Sequence, residues 1–328
     1  LTITHTNTSG SSVFDSTGTW NLNGARFINT GTLDIDSTGG TIFIDMDSVG
    51  PGVFENQGTL NKVAAGRFEV FSVGSLSFEN SGTIDIQGGD IFLNNNSVLN
   101  GNLTGVGGPL IWNFGTSSGN LNIGPGAVLE ISGSTHTFSA PSNYTGTGTV
   151  RWIGGIINGA NLTVDSVLEI TGATEPTLNS VTLTHTNTSG ASVFDSTGTF
   201  NINGATFINA GVMDIDSSAG TVFIDMDSIG TGIFRNTGTL NKIGAGQFQV
   251  FSGGTITFDN DGTLNINNGS VAVNQPFTND GLIDIGAGAT LVGGNATFVN
   301  GATGTIQGIG TINTPTAGLN HLGLISPG

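Results

Sequence analysis

The sequence predicts an all-β protein that folds as a parallel β-solenoid (β-helix) of about 13 rungs without significant helix. Three observations predict this fold. A nine-residue phrase occurs eight times, its copies start 19 to 27 residues apart within each set, and short runs alternate apolar with polar residues. A propeller requires blades of about 40 to 50 residues, and a β-sandwich would not repeat its core phrase, so neither fits this spacing.

The repeated phrase reads Phe-x-Asn-x-Gly-Thr-(Leu/Ile)-x-(Ile/Lys), and its first copy begins at Phe27. Phe and Leu are positions where a side chain can be buried, and Asn-x-Gly is turn chemistry because both residues tolerate positive φ. Each copy therefore predicts a strand, a corner and a strand, with rings and amides stacked on those of the next rung. We predict this structural ladder at Phe27, Phe54, Phe78, Phe207, Phe234, Phe258, Phe277 and Phe298, and at Asn29, Asn56, Asn80, Asn209, Asn236 and Asn260.

The repeated rings have a second interpretation, which is an exposed platform for stacking carbohydrate. Burying one large side chain is worth about 1.5–3 kcal/mol, and a stack collects this stabilisation in every rung. We therefore expect the rings inside the solenoid.

A longer repeat lies on top of the short one. Residues 1–90 align with residues 181–270 without a gap at an offset of 180, and about two thirds of the positions are identical. We predict that residues 1–328 form a single continuous solenoid segment. It comprises first-cassette rungs in 1–100, Trp-containing rungs in 101–180, a second copy of the cassette in 181–280, and degenerate rungs with a truncated end in 281–328.

Composition excludes several classes of function. The chain has 23 acidic and 6 scattered basic residues, giving a net charge of −17, so it lacks the cationic face that nucleic acids require. No apolar run approaches the roughly 18 residues of a membrane helix, so we expect no membrane insertion. The chain has no cysteine, which excludes disulfides and thiolate metal sites. Both ends lie in β-like runs and look cut from a longer protein.

Aspartates in the alternating strands are the candidate metal ligands. At four places in the predicted strands two aspartates share the outward side, and neighbouring rungs that aligned them would bring carboxylates to about 5 Å from each other. Ca²⁺ would relieve that repulsion, since it prefers several carboxylate oxygens. The weak calcium candidates are Asp34, Asp36, Asp45, Asp47, Asp214, Asp216, Asp225 and Asp227. The alternative is a row of solvated side chains, and we predict no cofactor apart from this Ca²⁺.

Catalysis is not predicted. A lyase or hydrolase on a β-helix needs a general acid and a base, usually a carboxylate pair or Arg and Lys near a metal. Glu130 and Glu169 lie in matched Leu-Glu-Ile phrases, which indicates a repeated surface position. His5 and His185 are equivalent in the two copies, which favours a duplicated structural role over catalysis.

Three features resemble those of large bacterial surface proteins. They are the Asn-x-Gly-Thr-(Leu/Ile)-x-Ile repeats, the segment Gly148-Thr-Val-Arg-Trp-Ile-Gly-Gly155 and the closing Gly323-Leu-Ile-Ser-Pro-Gly328. They are similar to repeats in the right-handed β-helices of autotransporter passengers and filamentous-haemagglutinin-like adhesins. The resemblance implies a right-handed coil and an exported protein used for adhesion, matrix or filament building, and it supplies no catalytic residue.

The predicted function is therefore mechanical and interactive. We expect a non-enzymatic extracellular structural or adhesive protein at a bacterial cell surface, as one segment of a larger repetitive fibre, stalk or biofilm-matrix filament. We expect self-association end to end or side by side, and a cell-surface or glycan ligand. The alternative is a carbohydrate-active β-helix, such as a polysaccharide lyase or a phage-tailspike-like protein.

Overall fold

The computed structural model describes residues 1–47, 50–71, 75–227, 230–251, 254–294, 296–313 and 318–328. The described residues contain no helix, and strands make up 58% of the structure. Parallel strands stack as a β-solenoid of about 14 turns, which confirms the predicted parallel solenoid. Within the same residues no helix is long and apolar enough to cross a membrane. The chain divides into two compact units, Leu1–Arg151 (unit 1) and Trp152–Gly328 (unit 2).

Unit 1 contains short strands, and its boundary with unit 2 falls within the last of them. They are β1 (Thr2–His5), β2 (Ser12–Phe14), β3 (Thr19–Asn21), β4 (Arg26–Asn29), β5 (Thr32–Ile35), β6 (Ile42–Asp45), β7 (Gly52–Asn56), β8 (Thr59–Lys62), β9 (Arg67–Phe71), β10 (Leu76–Asn80), β11 (Thr83–Ile86), β12 (Asp90–Asn94), β13 (Asn96–Leu99), β14 (Gly101–Thr104), β15 (Leu110–Ser118), β16 (Asn120–Ile123), β17 (Val128–Ile131), β18 (Thr135–Phe138), β19 (Ser142–Gly146) and β20 (Thr149–Trp152).

Unit 2 has the same architecture when described by itself. Its strands are β21 (Ile156–Gly159), β22 (Leu162–Val164), β23 (Val167–Ile170), β24 (Thr177–Asn179), β25 (Thr182–His185), β26 (Ser192–Phe194), β27 (Thr199–Asn203), β28 (Thr206–Asn209), β29 (Val212–Ile215), β30 (Val222–Asp225), β31 (Thr231–Asn236), β32 (Thr239–Lys242), β33 (Gln247–Val250), β34 (Thr255–Asn260), β35 (Thr263–Ile266), β36 (Ser270–Val273), β37 (Phe277–Asn279), β38 (Leu282–Ile285), β39 (Thr290–Gly293), β40 (Phe298–Asn300), β41 (Thr305–Gly308), β42 (Thr311–Asn313), β43 (Leu319–His321) and β44 (Leu324–Pro327).

Within each unit a strand pairs in parallel with the third strand after it, as β1 does with β4, β5 with β8 and β6 with β9. Three strands therefore make one turn, and three parallel sheets run along each unit. In unit 1 the nine-residue β15 takes part in two of the sheets, so β14 pairs with β16, the second strand after it. The first half of β15 pairs with β12 and β17, its second half pairs with β13 and β18, and a register shift lies opposite Leu93 and Asn94.

Each sheet buries one side and leaves the other toward solvent. In β28, Phe207 and Asn209 are buried, whereas Thr206 and Ile208 are partly exposed. Parallel sheets in α/β proteins are covered on both faces and read as continuous apolar runs. Here only the inner face is covered, which explains the alternating strands of the sequence.

The structure has slightly more turns than the predicted 13. The prediction used about 25 residues per rung, taken from the spacing of the phrase copies. Paired asparagines Asn29 and Asn56 are 27 residues apart, whereas Asn102 and Asn122 are 20 apart. The block without the phrase therefore contains shorter turns.

The glycine of the phrase is needed for close approach between turns rather than for positive φ. None of the phrase glycines has positive φ, in contrast to the expectation from turn chemistry. A Cβ added at Gly58 would overlap the carbonyl oxygen of Gly31, and one added at Gly82 would overlap that of Gly58. The corners of successive turns therefore touch through their backbones.

The Gly58→Ala substitution is expected to lower the free energy of unfolding by about 1–3 kcal/mol, because the added methyl group must push two turns apart. Gly10→Ala is the matched control, since nothing lies within 4 Å of a Cβ at Gly10. It should change stability by less than about 0.5 kcal/mol. Urea unfolding followed by circular dichroism measures both, and equal losses would contradict the close-approach explanation.

Candidate functional site

The phenylalanines of the phrase lie inside each unit. In unit 1 the ring centroids of Phe27 and Phe54 are 5.2 Å apart, and those of Phe54 and Phe78 are 5.8 Å apart. In unit 2 the corresponding centroid distances lie between 4.6 and 5.3 Å for the column Phe207, Phe234, Phe258, Phe277 and Phe298. All these rings are buried, so none of them is presented to a ligand.

The asparagines of the phrase form a hydrogen-bonded column beside the rings. In unit 1, Asn29 Nδ2 donates to Asn56 Oδ1 at 2.7 Å, and Asn56 Nδ2 donates to Asn80 Oδ1 at 2.7 Å. Each amide also bonds the backbone of the next turn, as Asn29 Nδ2 does with Thr59 O at 2.9 Å. A buried amide at this position is therefore satisfied only when both neighbouring turns are present.

The column of unit 2 is longer than the sequence pattern predicted. Asn209 donates to Asn236 at 2.8 Å, and Asn236 donates to Asn260 at 2.7 Å. The same 2.7 Å bonds continue from Asn260 to Asn279 and from Asn279 to Asn300. Asn279 and Asn300 were not among the predicted ladder residues, although both stand in the third position of a phrase copy, and that position was the signal.

Histidines end the unit 2 column. His185 Nδ1 lies 2.8 Å from Asn209 Oδ1, and because an amide oxygen can only accept, Nδ1 carries the proton. His185 Nε2 then accepts from Ser192 Oγ at 2.9 Å. At the other end Asn300 Nδ2 lies 3.2 Å from His321 Nδ1, which accepts. The column thus runs in one direction, from a donating to an accepting histidine.

Unit 1 repeats the donating end. His5 Nδ1 lies 2.7 Å from Asn29 Oδ1, and His5 Nε2 lies 2.8 Å from Ser12 Oγ. Nucleophilic hydrolase sites use a similar order, with serine, histidine and a carboxylate, or cysteine, histidine and an asparagine amide. In unit 2, however, Ser192 is only 1% exposed and His185 is fully buried, so no substrate can reach that hydroxyl. There the arrangement closes the asparagine column.

Each unit also buries one lysine. Lys62 occupies the slot that holds Ile35 in the turn before and Ile86 in the turn after, and it is fully buried. Its Nζ donates to the carbonyl oxygen of Ala64 and, at 3.0 Å, to that of Gly88. Burial lowers the lysine's pKa. Lys242 repeats this arrangement in unit 2, so each lysine joins the corners of two successive turns.

Two of the candidate calcium ligands, Asp34 and Asp214, lie opposite an amide rather than another carboxylate in the next turn. Asp34 lies opposite Asn61 in the next turn, and Asn61 Nδ2 donates to it at 2.7 Å. Asp214 and Asn241 repeat this contact at 2.8 Å. The Asn61 and Asn241 amides thus give Asp34 and Asp214 a partner in the place where a Ca²⁺ ion was predicted.

The remaining aspartates bond nearby donors. Asp36 and Asp216 accept from the residues two positions later, which lowers the pKa of both carboxyls through hydrogen bonds from Thr38 and Ser218. The carboxylates of Asp45 and Asp225 each accept a hydrogen bond from the backbone N–H of the following residue. Asp47 accepts a hydrogen bond from the side chain of Asn21, and Asp227 accepts one from the side chain of Asn201. Among the described residues no three His, Asp or Glu side chains are grouped to hold a metal ion.

Unit 1 carries an outward surface that the sequence reasoning missed. In three successive turns Phe43, Glu69 and Phe92 lie in register, so the carboxyl stands between two rings. One row over, Phe71, Asn94 and Phe114 lie in register, so an amide stands between two rings. We call these six residues, all of them partly exposed, the aromatic–acid face.

Glu69 carries the one ionisable side chain among the six residues of the aromatic–acid face. Burial beside the rings raises the pKa of Glu69, and no described residue donates a hydrogen bond to it. Next to it Arg67 binds Asp90 through two nitrogens at 2.8 to 3.2 Å and lies 4.4 Å over the ring of Phe92. Arg67 therefore forms its ion pair with Asp90, and it acts on Glu69 only through its charge, which lowers the pKa of Glu69 against the larger effect of burial.

The two glutamates singled out from the sequence occupy outward positions. Glu130 follows Ile111 on the row that begins with Phe43 and Glu69, and burial raises its pKa. Glu169 lies in unit 2, opposite Val193. The structure does not bring Glu130 close to Glu69, because the strands β12 and β15 lie between them.

Comparison with protein-family models, with curated proteins and with solved structures found no match for this chain.

Replacing Asn236 by Ala is expected to lower the free energy of unfolding by about 3 kcal/mol. It leaves an N–H of Asn209 and the Oδ1 of Asn260 buried without partners, at about 1–3 kcal/mol each. Asn241→Ala, on the outward side of the next strand, is the matched control. Its bonds to Asp214 and Asn265 are replaceable by water, so the loss should stay below about 1 kcal/mol. Comparable losses in urea unfolding would refute the role assigned to the column.

His136 gives unit 1 a pH-dependent stability. Its Nε2 donates to Ser132 O at 2.7 Å, its Nδ1 is buried without a partner among the described residues, and its ring lies 4.4 Å from that of Trp112. Burial lowers the pKa of His136 to about 4. Below the ordinary pKa near 6.5, the unfolded chain binds a proton that the folded chain does not, so stability falls as the pH falls.

Between pH 6.5 and 4 the His136→Phe variant should therefore lose about 3 kcal/mol less unfolding free energy than the parent protein. His185, whose pKa is also lowered by burial, contributes a slope of the same sign in both proteins. Phe138→Leu is the control, because it removes packing next to His136 without changing titration. It should lower stability equally at each pH, and an unchanged slope in His136→Phe would contradict the assignment.

Proposed function

We propose that this chain is a non-enzymatic structural and adhesive segment of a larger repetitive protein, which lies outside a bacterial cell as part of a surface fibre, stalk or matrix filament. The observation that carries this proposal is the interior of each unit, where buried rings and amides bond from turn to turn. Such a stack gains stability from nearest-neighbour contacts and is lengthened by adding turns. A net charge of −17 supports solubility of a protein presented to solvent.

The outward surface supports the adhesive part of the proposal. Inward positions are filled by residues that stacking requires, whereas outward positions are free to vary with the ligand or with a second copy of the chain. We propose self-association end to end or side by side as the way such segments assemble. Calcium binding by the aspartate rows stays a proposal, and the amides beside Asp34 and Asp214 argue against a need for it.

One observation favours the alternative of a carbohydrate-active enzyme, namely the raised pKa of the two outward carboxyls Glu69 and Glu130. Three strand steps separate these residues along the sheet, which at about 4.8 Å per step amounts to about 14 Å. The two carboxyls of glycosidases are about 5 to 9.5 Å apart. Asp90 is nearer to Glu69, but Arg67 holds it in a two-point ion pair. The distances therefore favour binding over hydrolysis.

Pulling single molecules by their ends tests the mechanical part. We expect resistance followed by steps that release whole turns. Paired residues in neighbouring turns such as Asn56 and Asn80 are 24 residues apart, so each turn adds about 80 Å of extended chain. The same molecules in concentrated urea are the control and should extend smoothly. Smooth extension without urea would overturn the structural role.

A further inference from the structure

We propose that the aromatic–acid face of unit 1 binds an oligosaccharide that carries primary ammonium groups, that is, a chain of amino sugars. This inference rests on the proposed adhesive role and names the class of ligand that the role requires. The two units, which contain copies of one cassette, provide the comparison that locates the site.

Equivalent strands of the two units share their inward residues in kind and differ in their outward residues. Phe68 and Val70 of β9 correspond to Phe248 and Val250 of β33, and all four are buried. The outward residues of the same strands and their partners differ. Arg67, Glu69, Asp90 and Phe92 in unit 1 correspond to Gln247, Gln249, Ser270 and Ala272 in unit 2, and Ala272, unlike Phe92, is buried.

These differences remove every charge from the equivalent surface of unit 2. The ion pair of Arg67 with Asp90 is replaced by a long hydrogen bond of 3.4 Å from Gln247 Nε2 to Ser270 Oγ. The carboxyl between two rings is replaced by Gln249 between Phe223 and Ala272. Because both surfaces are built on the same stacked core, the charges and the second ring of unit 1 are not required by the fold.

The chemistry of the face selects a cationic group. Phe43 and Phe92 flank Glu69 at about 4.8 Å per strand step, which partly removes water from its carboxylate. An ammonium group placed there would pair with the carboxylate and lie against the electron-rich faces of the rings. The charge of Arg67 also acts on Glu69, but Asp90 holds its guanidinium in an ion pair of 2.8 Å over the ring of Phe92, so the carboxylate of Glu69 keeps room for a second cation.

The neighbouring row selects a sugar over a lysine side chain. Phe71 and Phe114 stand one step above and below Asn94, whose Oδ1 accepts from Asn113 Nδ2 at 2.9 Å. No described residue accepts from the Nδ2 of Asn94, so this amide can donate to a hydroxyl. Apolar rings with a few oriented polar groups are the usual composition of small-molecule sites. Two such rows side by side match a flat, hydroxylated chain with a spaced positive charge.

Calorimetric titration of the full 328-residue chain with a glucosamine hexasaccharide tests the proposal. Glu69→Gln and Phe92→Ala, which install the residues of unit 2, should each weaken binding about tenfold or more. Glu79→Gln removes the same charge elsewhere in unit 1 and should leave the affinity unchanged. Added salt should weaken binding. Thermal unfolding of each variant confirms that it is folded.

Introducing the binding residues into unit 2 separates a loss of binding from a folding defect in unit 1. In the Glu69→Gln/Phe92→Ala background, the substitutions Gln249→Glu and Ala272→Phe should restore part of the binding, now on unit 2. Failure to restore any binding would count against the ring–carboxyl–ring arrangement as the recognition element.

Three further results would overturn the proposal. The first is equal binding of the N-acetylated hexasaccharide, which would mean that charge is not recognised. The second is equal binding of hexalysine, which would mean a general cation surface. The third is an unchanged affinity in Glu69→Gln. Absence of binding by the parent protein would reject this ligand class while leaving stepwise unfolding, and with it the structural role, intact.

Discussion

The turn-to-turn hydrogen bond of the buried asparagine is the interaction on which the rest of this structure depends. An amide inside an apolar stack is tolerated only when its donors and its acceptor are all used, and here the turn above and the turn below use them. The column also has a direction, because each amide donates the same way. An asparagine at either end would leave its own outer acceptor or donor without a partner, and histidines with opposite proton positions end the column of unit 2 instead.

The same column fixes how far apart the corners of successive turns can be. Hydrogen bonds of 2.7 to 2.8 Å between amides bring neighbouring corners together, and only a residue without Cβ fits where the backbones then touch. In the Asn-x-Gly of the phrase, the asparagine thus bonds the successive turns and the glycine leaves room for their backbones to touch. The buried Lys62 and Lys242, which stand where other turns have isoleucine, also join successive corners by bonding their carbonyl oxygens. These bonds give each buried cation its partners.

Period, turn residues and strand alternation predicted the parallel solenoid, because those features follow from stacking alone. The exact number of turns did not follow, since the phrase is absent from residues 101–180 and β15 there spans two sheets. The residues that end the asparagine column could not be predicted either. His185 and Ser192 are seven residues apart, and only the coiling of the chain brings them into contact. The contact of Asp34 with Asn61 could have been predicted, because both occupy the eighth position of successive phrase copies that stack in register.

The aromatic–acid face had a signal in the sequence that the search for motifs did not use, namely the positions where the two cassettes differ. The positions that are identical in the two copies are those that stacking requires, namely the rings, amides and glycines of the phrase. Outward positions that are charged in one copy and uncharged in the other are not required by the stack. Glu69 and Gln249 occupy the same place on the same scaffold, and only Glu69 has a ring on each side. In a repetitive protein whose interior is dictated by stacking, the difference between equivalent outward residues is the more informative guide to function.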